Sequence, residues 1–223
     1  MPILINNKIY IHMVKTGGVW MSSYLNDNHD GRWIGSHPHS SSGDLRDHEV
    51  EDRLLWGTIR DPWSWYLSWY SHQKSDLDNC GGSSEFKDVL METLRRDAGH
   101  CPESSVVMWS IPGANVSARN DTYIDGQGGL FTWTFFHMFG DRVKTFVDIG
   151  RMHEGVEVLF GGMVTEDSSQ PTNTRNLELP SSPEEMYDDE MIDAVYRADS
   201  HLIEVLGYEG PFSALREPVV NID

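Results

Sequence analysis

Two apolar runs, Lys8 to Met13 and Leu54 to Ile59, each stop at a chain-turning signal and give way to a segment that reads as helix. After the first come Gly17 and Gly18. After the second comes Arg60-Asp61-Pro62, with proline where a first helical turn accepts it. Repetition of strand, tight turn and helix constrains a chain to a layered α/β design, since parallel neighbours need a long crossover between them. Val143 to Ile149 is a third strand candidate, followed by a short helix from His153 towards Phe160. At 223 residues the chain can bury one sizeable core but is short for two. The expectation is one domain over residues 1–223, with a central parallel β-sheet flanked by helices.

The remaining pattern fills in around that frame. Val19 to Leu25 continues the first turn as helix, and Asn26 to Asp52 reads as loop with a short helix near Leu45. Trp63 to His72 is an aromatic-rich helix, and another covers about Glu85 to Arg96 after a turn at Cys80 to Ser84. Gly99 to Gly129 has no clear periodicity, and Thr165 to Pro183 is polar loop. The aromatic run Leu130 to Phe139 is core or pocket wall. Ile192, Val195, Tyr196, Leu202, Ile203 and Leu206 recur at helical spacing and end at Gly207.

Composition narrows the partners. With 35 acids against 17 bases the net charge is −18, which argues against bulk binding to nucleic acid or anionic membranes. An anionic ligand must then be captured by a few local cations. No run approaches the roughly eighteen apolar residues of a membrane span, and the N-terminus lacks an export signal. Cys80 and Cys101 are too few for a disulfide scaffold, so free thiols and a cytoplasmic location are expected, with a single bridge as the alternative.

Against that acidic background the cations at the two strand ends stand out. A glycine pair between strand and helix lets several N–H groups point at one ligand, the helix adds its positive end, and Lys15 adds a full charge. The lysine precedes the glycines, unlike the GxxxxGK[ST] of nucleoside triphosphatases, and there is no GxGxxG. Arg60 can fork onto a second anion, with Ser68 two helical turns on. The plainer alternatives are an ordinary strand-to-helix turn and an Arg60–Asp61 pair.

The segment IYIHMVKTGG resembles the 5′-phosphosulfate loop of the sulfotransferases, in the HIPKTGG form of their carbohydrate-type branch. The resemblance implies a P-loop-like sulfotransferase fold. It gives Lys15 the bridging and sulfonate oxygens, and Thr16, Gly17, Gly18 and Val19 the 5′-phosphate through backbone amides. Trp20 is similar to a loop tryptophan that packs on adenine, with a core tryptophan as the alternative. The chain departs at Met13-Val14, where Ile-Pro is usual, and at Val19, where a hydroxyl residue is usual. Arg60-Asp61-Pro62-Trp63 with Ser68 and Tyr70 resembles the family's 3′-phosphate segment, which implies that Arg60 and Ser68 hold that phosphate.

Three further segments extend the likeness. His37-Pro38-His39 is similar to the His-x-His of uronyl 2-O-sulfotransferases and implies a histidine base, His39 or His37. Alone, these histidines read as exposed residues or a metal pair. His12 belongs to the loop motif and shapes the strand end. Gly150-Arg151-Met152-His153 is similar to a Gly-Arg-x-Glu segment with His153 in place of glutamate, and Pro171 to Arg175 to a loop that brings Thr174 and Arg175 to the nucleotide.

The resemblance thus implies transfer of a sulfuryl group from 3′-phosphoadenosine 5′-phosphosulfate to an acceptor hydroxyl on a glycan or small molecule. Lys15 and a histidine base would act in the transfer, and no metal is expected. Two rivals remain at this point: a non-catalytic nucleotide-binding module and a kinase-like phosphoryl-transfer enzyme.

Overall fold

The computed structural model describes residues 2–35, 40–79, 85–95, 129–161 and 182–222. Among these, the strands are β1 (Ile3–Ile5), β2 (Lys8–Ile11), β3 (Arg32–Trp33), β4 (Leu54–Ile59), β5 (Thr145–Asp148) and β6 (Val219–Asn221). The α-helices are α1 (Gly18–His29), α2 (Asp47–Val50), α3 (Pro62–Asn79), α4 (Phe86–Arg95), α5 (Leu130–Phe139), α6 (Met152–Phe160) and α7 (Asp189–Leu206). The chain's contacts divide into two compact units. One comprises Met1–Arg60, Thr134–Thr174 and Ser213–Asp223, the other Asp61–Trp133 and Arg175–Phe212.

The first unit holds the sheet, in the order β3-β1-β2-β4-β5-β6. Its centre, β2-β4-β5, is parallel, but β1, β3 and β6 are added antiparallel, so the sheet is mixed where a parallel one was expected. The cause is local. Asn6, with φ of 52°, turns the chain back between β1 and β2 as a two-residue hairpin, and hairpins can only be antiparallel. Strands of two or three residues are too short to carry a readable alternation, which is why these three escaped the sequence pattern.

Both faces of that sheet are covered. Tyr10, Trp56 and Val147 point to one side and pack with Met21, Tyr24 and Leu25 of α1 and Met152 and Val156 of α6. Phe146, one residue from Val147, faces the other way and meets Phe135 and Phe139 of α5, each at 5.0 Å between ring centroids. Gly57 makes room for that contact, because a Cβ there would lie 2.4 Å from Phe139 Cε1.

In the second unit, α3, α4 and α7 bury Trp63, Trp65, Tyr66, Phe86, Leu90, Val195, Leu202 and Leu206. Asp61 opens α3 by accepting from Ser64 N at 2.9 Å, and Asp188 opens α7 by accepting from Met191 N at 2.9 Å. Gly207, with φ of 82°, closes α7 as expected. Tyr196, counted with the apolar stripe, is exposed and bonded to Glu204. Asp199 in this unit is a fully buried carboxylate. Asp199 accepts from Tyr66 Oη (2.9 Å), Gly129 N (3.1 Å), Thr132 N (3.0 Å) and Thr132 Oγ1 (2.6 Å). Burial pushes its pKa up, and these donors pull it down.

Candidate functional site at three strand ends

The parallel register sets Ile11 beside Gly57 and Ile59 beside Asp148, so β2, β4 and β5 end on the same side of the first unit. The segments leaving the three strands are therefore gathered there: the loop from His12 to Gly17, then Arg60, and the turn from Ile149 to Arg151. Ligands of open α/β sheets bind at this end.

The loop has an unusual backbone. Lys15 is left-handed with φ of 65°, and Gly17 again with φ of 73°. For a lysine this conformation carries a steric cost that surrounding structure must hold in place. Gly17 is the N-cap of α1, and its carbonyl accepts from Met21 N at 3.0 Å. No acid stands in the first turn of α1, so its positive end meets no internal carboxylate from its own residues. Val19, the second residue of the helix, is 48% exposed.

Gly17 is called for by its left-handed backbone, and both glycines sit in tight packing. A Cβ on Gly17 would lie 2.7 Å from Met152 Cε, and one on Gly18 would lie within 2.4 Å of three atoms of the His12 ring. His12 thus forms a wall against the first residue of α1, in keeping with a role in shaping the strand end.

Thr16 is fully buried. Its hydroxyl donates to Met13 O at 2.8 Å and lies 3.0 Å from Thr58 Oγ1, which in turn is 2.9 Å from Tyr10 Oη. This chain of hydroxyls was missed in the sequence, although lone polar side chains inside apolar strand runs are the signal for it.

Trp20 is half-buried. Its ring stacks on Tyr24 at 5.2 Å and 7° and meets His153 edge-on at 5.2 Å. Tyr24 continues to His29, and His29 to Phe160 at 4.7 Å. Arg60 is half-buried at the end of β4. Burial pushes the Asp148 pKa up, opposed first by amide hydrogen bonds from Leu215 and Gly150 and then by the charges of Arg151 and Arg60. Asp148 itself accepts from Gly150 N at 2.7 Å and from Leu215 N, and Arg151 is paired with Glu154.

Lys15, Thr16, Gly17, Gly18, Val19, Trp20 and Arg60 therefore all belong to the first unit, on the loop, helix start and strand end described. Ser68 lies half-buried on α3 in the second unit. His37, His39, Thr174 and Arg175 lie outside the described residues, as do Cys80 and Cys101. Among the described residues, no cluster of His, Cys, Asp and Glu is arranged to hold a metal, and no helix is long and apolar enough to cross a membrane. Comparison of the chain with models of protein families, with curated proteins and with solved structures gives no match.

Proposed function

We propose that this chain is a sulfotransferase, moving the sulfuryl group of 3′-phosphoadenosine 5′-phosphosulfate to an acceptor hydroxyl in a reducing, cytoplasmic setting. The observation that carries the reading is the placement of Lys15, on a left-handed turn before the acid-free start of α1, and Arg60 at the ends of adjacent parallel strands. A nucleotide with phosphate at two positions needs two such cationic ends. The residues present fit that need: backbone N–H groups at Gly18 and Val19 suit the 5′-phosphate, and the Arg60 guanidinium suits the 3′-phosphate.

Transfer is an in-line displacement at sulfur. The acceptor oxygen forms the new S–O bond as the bond to the 5′-phosphate oxygen breaks. Lys15 neutralises the charge growing on that leaving oxygen, and the acceptor proton passes to an imidazole, assigned to His39 or His37 by resemblance. The same resemblance favours a sugar hydroxyl as acceptor.

Two departures from the family pattern favour a second reading, a module that binds the nucleotide without turning it over. Val19 supplies no hydroxyl at the helix start, and His153 stands where the family has glutamate. Retained nucleotide affinity with no turnover across an acceptor panel would select it, and magnesium-dependent turnover of ATP would select the kinase-like alternative.

Calorimetric titration tests the donor site directly. Adenosine 3′,5′-bisphosphate should bind wild type in the micromolar range. Arg60→Lys should weaken it by about tenfold while leaving adenosine 5′-phosphate unchanged, since lysine loses the bidentate fork. No binding of either nucleotide by folded wild type would end the sulfotransferase reading.

A further inference from the structure

We propose that Tyr10 and Thr58 are positioning residues for the anion loop, acting through a one-way chain of hydroxyl hydrogen bonds that ends on the backbone beneath Lys15. The inference rests on reading the Lys15 loop as an anion site, and it names what holds that loop in its binding shape.

Proton counting gives the direction of the chain. Thr16 has one hydroxyl proton, and it goes to Met13 O at 2.8 Å. At the 3.0 Å contact between Thr16 and Thr58, Thr58 must then be the donor. With its proton spent, Thr58 accepts at the 2.9 Å contact with Tyr10, whose phenol donates. The order is Tyr10 Oη to Thr58 Oγ1 to Thr16 Oγ1 to Met13 O. Tyr10, Thr16 and Thr58 are all fully buried, so water cannot replace a lost partner. Burial also pushes the Tyr10 pKa far up, which keeps its proton on the phenol.

The chain spans the strand pair that frames the site. Tyr10 comes from β2 and Thr58 from β4, and they tie down the residue on each side of Lys15: Thr16 directly, and Val14 through the carbonyl of its neighbour Met13. A lysine at φ of 65° needs such restraint to stay left-handed. In a low-dielectric interior a chain of this kind polarises along its length, and a half-satisfied one is worse than none. The prediction is therefore specific to the hydroxyls and not to the volume they fill.

The test compares Tyr10→Phe, Thr58→Val and Thr58→Ser in the full chain with two readouts. The first is native-state tryptic cleavage after Lys15, corrected by each variant's own unfolding free energy and referred to cleavage after Lys144. The second is affinity for adenosine 3′,5′-bisphosphate. Tyr10→Phe and Thr58→Val should raise cleavage about fivefold or more and weaken affinity by about tenfold, whereas Thr58→Ser should stay within about twofold of wild type in both. Wild-type cleavage in Thr58→Val overturns the proposal, as does equal behaviour of the valine and serine variants. Should wild type bind no nucleotide, the proposed function falls while the cleavage comparison still decides the role of the chain. Should Tyr10→Phe not fold, the two Thr58 variants decide it.

Discussion

The Cδ2 atom of His12 stands 1.8 Å from where the Cβ of any larger residue at position 18 would lie, so imidazole and glycine share one space. A side chain at 18 would have to displace either the strand end or the start of α1, and both belong to the candidate site. Gly18→Ala should therefore cost about 1–3 kcal/mol by overpacking, read as a shift in denaturant midpoint. Adding His12→Ala should recover part of the loss. An alanine variant as stable as wild type would mean that the imidazole swings away without cost.

Lys15 separates stability from function. Its left-handed backbone favours glycine, so Lys15→Gly should be more stable than Lys15→Ala by about 1 kcal/mol, measured by thermal or denaturant unfolding. Both variants should lose turnover by about a hundredfold or more if the amine stabilises the leaving oxygen. Normal turnover by Lys15→Ala with a competent acceptor would remove the lysine from the mechanism.

Asp199 is a load on the second unit of a different kind. Replacing it with alanine takes the acceptor from three buried donors, the Tyr66 hydroxyl and the N–H and hydroxyl of Thr132, while Gly129 N keeps its 2.8 Å bond to Ala198 O. The expected loss is about 3 kcal/mol, and Asp199→Asn should recover only part of it because an amide nitrogen cannot accept. A loss below about 1 kcal/mol for the alanine variant would show that the surroundings relax to satisfy those donors.

Two histidines should make the first unit sensitive to mild acid. Burial lowers the pKa of His29, which bonds to Tyr24 Oη, and of His137 on α5, where the charge of Asp44 opposes the shift. A histidine whose folded pKa lies below its ordinary 6.5 disfavours the charged form. Its contribution is fully present above pH 6.5 and is lost as pH falls through the depressed value. Wild type should lose stability over that window, and the combined His29→Gln and His137→Gln variant should show a flatter profile. An unchanged slope would assign the loss to other groups.

The strands that carry long apolar stretches were legible from the chain, and the very short ones were not. Leu54 to Ile59 is found where its pattern places it, because buried parallel strands read as unbroken apolar runs. β1, β3 and β6 owe their existence to pairing partners, and Val219–Asn221 has no meaning as a strand without β5. The same division runs through the site. Lys15, Gly17, Gly18 and Arg60 sit beside punctuation that any reading detects. Tyr10 and Thr58 are 48 residues apart and meet only through sheet register, which sequence spacing does not reveal. Asp199 was visible in principle, as a lone acid on the apolar stripe of α7 between Val195 and Leu202, and its partners were not.

The last strand also sets a clock. Thr145 on β5 bonds to Asn221 on β6, 76 residues further along. During translation at about 5–20 residues per second, β5 waits on the order of 4–15 s for its outer neighbour. For that interval one side of Phe146 and Val147 has backbone groups with no strand to answer them, an open template for another nascent chain. Of the net charge of −18, only −6 lies in residues 1–148, so the acidity that keeps newly made copies apart accumulates over that same interval.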